Sequence, residues 1–123
     1  MPDESFPKLF RLRTAAEFER TFAADTLVAD GVLVVHGVRN ELDITRLGLS
    51  ISRKHGPAVV RNRWKRLIRE VFRISLADLP GGLDLVIRPK KGASPDYDAI
   101  AASLPALVRR LIKRLPKGAS HAP

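Results

Sequence analysis

Pro57-Ala58-Val59-Val60-Arg61-Asn62-Arg63-Trp64-Lys65-Arg66-Leu67-Ile68-Arg69-Glu70-Val71-Phe72-Arg73 carries six basic residues and one acid, and its apolar residues recur at helical spacing. At about 100° per residue, Val60, Trp64, Leu67, Ile68, Val71 and Ser75 fall on one side of a helix. Arg61, Asn62, Lys65, Arg66, Arg69 and Arg73 fall on the other, with Arg63 and Glu70 near one border. One face therefore suits a core and the other a polyanion. A solvated surface helix ordinarily mixes signs; this face holds cations and one Asn. Gly56-Pro57 starts the helix, with Pro57 at the first position, where a missing N–H costs nothing. The helix should end between Ser75 and Asp78.

The flanks decide how this helix is used. Before it, Arg46-Leu47-Gly48-Leu49-Ser50-Ile51-Ser52-Arg53 alternates as a strand, with Leu47, Leu49 and Ile51 on one face. Gly48, Ser50 and Ser52 form a second face small enough for another backbone to approach. After it, Leu79-Pro80-Gly81-Gly82 reads as a turn and Leu83-Asp84-Leu85-Val86-Ile87-Arg88 as a short buried strand stopped by Pro89. Strand–helix–strand suggests a parallel pair with the basic helix as crossover.

Further upstream, Thr14-Ala15-Ala16-Glu17 has capping-box spacing, so a helix should run from Ala15 to about Ala24, closed by Asp25 and Thr26. Phe18 and Phe22 share a face of it. Val28 to Gly37 reads as strand, with an Asp30-Gly31 turn, and is expected to form a hairpin with the strand at Arg46. Alternation puts Val32, Val34 and His36 on one face and Leu33 and Val35 on the other. Val38 to Thr45 reads as loop. Downstream, Pro89 to Pro95 is a basic loop around Lys90, Lys91 and Gly92. Asp96 to Leu115 is a last helix, acidic at its start and basic at its end, with Pro105 expected to kink it or split off its first turn. The expected fold is α+β: one domain over 1–116, a mixed sheet with helices in α-β-β-α-β-α order and room for one extra short strand. Residues 117–123 form a frayed tail.

Composition narrows the function. The 123 residues suffice for one core. They carry 22 Lys and Arg against 13 acids, a net +9, which favours a nucleic-acid or anionic-surface partner. Arg53 to Arg73 alone holds eight bases and one acid. The absence of cysteine excludes disulfides and thiolate metal sites. No apolar run is long enough to span a bilayer, and the acidic Met1-Pro2-Asp3-Glu4-Ser5 is no secretory signal. A soluble cytoplasmic protein is expected.

An active site of protein groups is not expected. His36 lies on a strand, His55 in a loop and His121 in the tail, so no converging acid–base pair is apparent. The acids are scattered rather than clustered for Mg²⁺, and Gly81-Gly82 is a turn, not a phosphate loop. Binding is better supported. The basic face can reach several phosphates, and Asn62 can read a base edge or a 2′-hydroxyl. If about seven cations neutralise phosphates, log affinity should fall with log salt at a slope of about −5 to −6. Trp64 belongs to the core. Phe18 and Phe22 either pack the first helix on the sheet or stack at a cleft edge, and His36 is either a polar strand residue or a stacking one.

Arg46-Leu47-Gly48-Leu49-Ser50-Ile51-Ser52-Arg53-Lys54, Gly56, Ala58-Val59 and above all Arg61-Asn62-Arg63-x-Lys65-Arg66-Leu67-x-Arg69-Glu70 resemble the protein subunit of bacterial ribonuclease P. Arg11-Leu12, Phe18 and Phe22 extend the likeness. The resemblance implies an α/β sandwich with a left-handed β-α-β crossover at the basic helix, against the general right-handed rule. It implies partnership with a large catalytic RNA and with the 5′ leader of precursor tRNA. Mg²⁺-dependent hydrolysis of the leader would then reside in the RNA, with no metal or catalytic group in the isolated protein. The positions matching catalytic-RNA contacts are Arg53, Lys54, Arg61, Asn62, Arg63, Lys65, Arg66, Arg69 and Arg73. Those matching a leader cleft are Phe18, Phe22, His36, Ser50, Ser52 and Lys54. His36 stands where the family often has an aromatic, and Pro105 is a second departure. No membrane or protein partner is implied. A structural RNA-binding protein of ribosomal type, with no part in cleavage, is the competing reading, and a stand-alone nuclease the third.

Overall fold

Thr14 starts the first helix, α1 (Ala15–Ala23), through the expected capping box: its Oγ1 accepts from Glu17 N at 3.1 Å and Glu17 Oε1 accepts from Thr14 N at 3.0 Å. The computed structural model describes residues 10–24 and 26–116. The remaining elements are β1 (Leu27–Ala29), β2 (Leu33–Arg39), β3 (Arg46–Leu49), α2 (Ala58–Ser75), β4 (Leu83–Pro89) and α3 (Tyr97–Arg114). Short 3₁₀ turns at Arg53–His55 and Leu76–Asp78 flank α2. The extra short strand is β1, set off from β2 by Asp30, whose Oδ1 accepts from the amides of Val32 and Leu33. The expected tail, Asp25 and His121 lie outside the described residues.

The sheet order is β1-β2-β4-β3, with β3 parallel to β4 and the other pairs antiparallel. The parallel pair joined by α2 is as expected; the hairpin between β2 and β3 is not. β4 lies between them. Its residues Leu83 to Ile87 are all buried, and a strand buried on both faces belongs at the centre of a sheet. The four-residue β3 takes the edge. β2 runs on to Arg39, so the expected loop shortens to residues 40–45. Pro57 precedes α2 as its N-cap, because its carbonyl accepts the first helical bonds from Val60 and Arg61. Pro105 splits nothing: α3 is one helix, capped by Asp96 Oδ2 accepting from Ala99 N at 2.9 Å.

One sheet face builds the core. Leu33, Val35, Leu47, Leu85 and Ile87 meet Trp64, Ile68, Val71 and Phe72 of α2 and Ile100, Leu104, Leu107 and Leu111 of α3. Phe72, beside the apolar stripe read from periodicity, is fully buried as well.

The opposite face carries α1, and a buried charge fixes it there. Asp84 on β4 has no exposed surface. Its register partner Arg46 on β3 grips it from Nε and Nη2, each at 2.9 Å, while Asn40 Nδ2 donates at 2.8 Å and Arg20 Nη2 of α1 at 2.9 Å. Arg46 Nη1 also pairs with Glu17 Oε2 at 3.0 Å. Two sequence-distant strands and α1 thus meet on one carboxylate. One register row further, Gly48 accepts the Phe18 ring: a Cβ there would stand 2.7 Å from Phe18 Cε2.

Burial alone would push the Asp84 carboxyl up, but hydrogen bonds from Arg46, Asn40 and Arg20 outweigh it and hold the pKa below its ordinary value. Backbone hydrogen bonds from Arg13 and Thr14 do the same for Glu17. Groups with depressed folded-state pKa stabilise fully above their unfolded values and lose that contribution as pH falls through the folded ones. Stability should therefore hold through neutral pH and decline below about pH 5. Asp84→Ala removes the carboxylate that gathers Arg46, Arg20 and Asn40, leaving Arg46 with Glu17 alone, and should cost about 3–5 kcal/mol in denaturant unfolding, with a weaker acid dependence than the parent. Gly48→Ala should displace the Phe18 ring and cost about 1–3 kcal/mol by the same measurement.

Candidate RNA-binding surface

The structure sorts the basic face of α2 into parts with different surroundings. Asn62, Arg63 and Arg66 are exposed along one strip. Arg61 is half-buried, its Nε donating to Gly56 O at 3.1 Å, which pins the turn that enters the helix. Arg73 pairs with Glu70 at 2.7 Å, one turn away. Lys65 and Arg69 lean toward α1: with Arg11, Leu12, Phe18, Leu47, Gly48 and Leu49 they line a concavity of about 190 Å³. Arg53 and Lys54 are exposed on the 3₁₀ turn before α2. Trp64 is buried in the core, as its place in the apolar stripe requires.

The expected cleft residues lie on the α1 side of the sheet. Because Gly48 and His36 both pair with Val86, they share a row across the sheet, and the adjacent row carries Val34 and Arg88. Phe18 covers Gly48. Phe22 meets His36 edge-to-face at 4.8 Å between ring centroids. His36 is 8% exposed, and its Nε2 accepts from Arg88 Nε at 3.4 Å. The aromatic surface open to a ligand is therefore that of Phe22, 40% exposed, rather than the imidazole. Ser50 continues past the end of β3, its amide bonded to Ile87 O at 3.0 Å, and Ser52 and Lys54 lead on to α2.

A second basic group was not singled out from the sequence. Lys54, His55, Trp64, Arg88, Lys90 and Lys91 are among the residues lining a concavity of about 640 Å³. Its origin is topological. Parallel pairing brings the chain leaving β3 and the chain leaving β4 to the same end of the sheet, so the 3₁₀ turn meets the loop at residues 90–93. The signal in the sequence is the basic loop at 89–95 together with the parallel pairing of β3 and β4, which places that loop beside the turn before α2. His55 Nδ1 accepts from Ser52 N at 3.0 Å, leaving Nε2 to carry the proton. Burial, with Lys54 and Arg88 nearby, pushes its pKa down, so it adds no charge at neutral pH.

The side chains gathered on this surface are equipped for binding. Among the described residues no three of His, Asp and Glu converge as a metal site, and none of their helices is long and apolar enough to cross a membrane. Cations, one exposed Asn and a half-exposed Phe instead border a sheet face, a combination suited to phosphates, base edges and stacked bases.

Known proteins share both sequence and architecture. The ribonuclease P family model matches residues 6–115. The ribonuclease P protein component of Thermotoga petrophila is 37% identical over 97 residues, which cover 79% of this chain and 83% of that one. That of Caldanaerobacter subterraneus is 36% identical over 110 residues, covering 89% and 91%. The solved ribonuclease P protein of Staphylococcus aureus superposes with a TM-score of 0.73 at 32% identity, covering 82% of this chain and 94% of that one. The Thermotoga maritima protein gives 0.75 at 33% identity, covering 81% and 96%. A match across nearly the whole described fold, together with the same mixed sheet and three helices, places this chain in the ribonuclease P protein family.

Proposed function

We propose that this chain is the protein subunit of a ribonucleoprotein ribonuclease P, which binds the catalytic RNA and the 5′ leader of precursor tRNA and assists removal of that leader. The observation that carries this reading beyond family membership is the shared wall of the small concavity. Lys65 and Arg69 of the basic helix and Phe18 of α1 line the same hollow, so a strand lying along α1 would run directly beside RNA held by α2. In this reading Arg53, Lys54, Arg63, Lys65, Arg66 and Arg69 hold phosphates of the catalytic RNA, and Asn62 donates to or accepts from a base edge or 2′-hydroxyl. Arg61 and Arg73 are partly committed within the protein. Six rather than seven or more phosphate contacts correspond to a salt slope of about −4 to −5.

Phe22 supplies the stacking surface for the leader, seated on His36, while Ser50, Ser52 and Lys54 offer donors along its path. The protein's contribution is positional: it lowers the entropic cost of bringing leader and catalytic RNA together and screens their mutual repulsion. In this reading the Mg²⁺ chemistry belongs to the RNA.

The deciding experiment mixes the pure protein with precursor tRNA, with and without bacterial ribonuclease P RNA, at low Mg²⁺. Stimulation of RNA-dependent cleavage is expected. RNA binding without stimulation would instead favour a purely structural RNA-binding protein, and cleavage by protein alone a nuclease. Arg66→Ala with Arg69→Ala should weaken binding to the catalytic RNA and flatten its salt slope by about 1.5. Phe22→Ala should lower affinity for leader-bearing substrate by about 1–3 kcal/mol, the worth of one stacked base. Leaderless RNA should be unaffected, and equal losses for both would remove Phe22 from the leader site.

A further inference from the structure

α3 ends in a second cationic surface that the α2-centred site does not use. Arg109, Arg110, Lys113 and Arg114 fall within six residues and form two like-charged i,i+4 pairs, about 6 Å apart along the axis. Arg39 of β2 joins them, its Nε donating to Pro116 O at 3.0 Å just past the helix. None of these five cations forms an ion pair with a carboxylate among the described residues; Arg110 has only the more distant field of Asp30. One or two cations would satisfy the C-terminal end of the helix dipole. Five clustered cations with only Asp30 as a nearby counter-charge among the described residues repel one another, and the fold gains little from the surplus.

Their placement divides them. Arg110 Nη1 donates to Ala29 O and Arg114 Nη1 to Leu27 O, each at 3.2 Å. These carbonyls face outward from edge strand β1, so the two arginines close an open sheet edge. Arg109 and Lys113 are exposed and make no hydrogen bond within the described protein. Because α3 packs on β1 and β2 while Lys65 and Arg69 border β3, the two basic surfaces lie at opposite edges of the sheet. Three strand spacings separate those edges, about 14 Å.

We propose that the α3 surface is a second RNA-backbone contact, engaging a segment of RNA other than the one held by α2, so that the protein bridges two RNA elements. This rests on the RNA-binding reading above. The contact is to phosphate: the side chains are Arg and Lys without a neighbouring aromatic. The large exposed apolar residue of α3, Tyr97, lies at its opposite end, so nothing here inserts into a lipid surface.

The test uses Arg109→Gln with Lys113→Gln, which leaves both edge-capping arginines in place. Affinity for bacterial ribonuclease P RNA should fall and the salt slope flatten by about 1.5, as for the α2 pair. The chain has no cysteine, so Ala106→Cys on the exposed side of α3 and Val59→Cys on α2 can each carry a tethered iron chelate for hydroxyl-radical cleavage. Cuts from Ala106→Cys at RNA positions distinct from those of Val59→Cys are expected. Unchanged affinity and slope, with cuts from Val59→Cys alone, would overturn the second contact while leaving RNA binding by α2 intact. Loss of effect in both helices would overturn the RNA-binding reading itself. Unaltered RNA affinity with weakened binding to phosphatidylserine vesicles would assign the surface to membranes instead.

Discussion

A carboxylate with no exposed surface sits where α1, β3 and β4 meet, and the candidate site depends on it. Asp84 would be costly to bury alone, and the four hydrogen bonds from Arg46, Asn40 and Arg20 make its burial tolerable. The cost also gives the arrangement its specificity. If β3 slipped by one residue against β4, Arg46 would turn to the apolar face and Asp84 would lose its bidentate partner. If α1 moved, Arg20 and the Glu17–Arg46 pair would go. The cluster therefore sets both the register of the parallel pair and the seat of the helix carrying Phe18 and Phe22.

From that seat the rest follows by register. Phe18 approaches the sheet at Gly48 because a Cβ there would collide with the ring. His36, in the same row, meets Phe22 instead of solvent. The small second face of β3 serves, at Gly48, as a docking surface for α1. The parallel pairing that Asp84 and Arg46 lock in register also brings the 3₁₀ turn before α2 beside the loop after β4, gathering Lys54, Arg88, Lys90 and Lys91 around one hollow.

Features written in local periodicity were legible from the chain. The capping box at Thr14, the burial of Trp64 and the extent of α2 all depend on residues within a few positions of each other. Strand pairing was less so. Nothing near β2 reveals that β4 will separate it from β3, because the argument for a central strand comes from burial on both faces, a global property. Asp84 is one acid in an otherwise apolar run, and no local pattern points to its partners, because Arg46 and Arg20 lie 38 and 64 positions away. The basic helix was legible as a set of cations, and Glu70 stands at i,i+3 from Arg73; the bond from Arg61 to Gly56 O depends on the turn that enters α2.

The use of the cations has a chemical logic. Arginines supply the cationic hydrogen-bond donors seen within the described fold, among them Arg20, Arg39, Arg46, Arg61, Arg73, Arg88, Arg110 and Arg114. Lys54, Lys65, Lys90, Lys91 and Lys113 do none of this work. A planar guanidinium can hold a carboxylate or a carbonyl with one nitrogen and keep others free, whereas an ammonium is a compact charge on a flexible stem. Arginines can thus brace the sheet edge, the α2 entry turn and the Asp84 cluster without surrendering all their donors. The lysines, without a hydrogen-bond partner among the described residues, keep more of their rotamer freedom for a polyanion. Their contribution to binding should then come mainly from released counterions, and the sequence-reading share should fall to Asn62 and the arginines of α2.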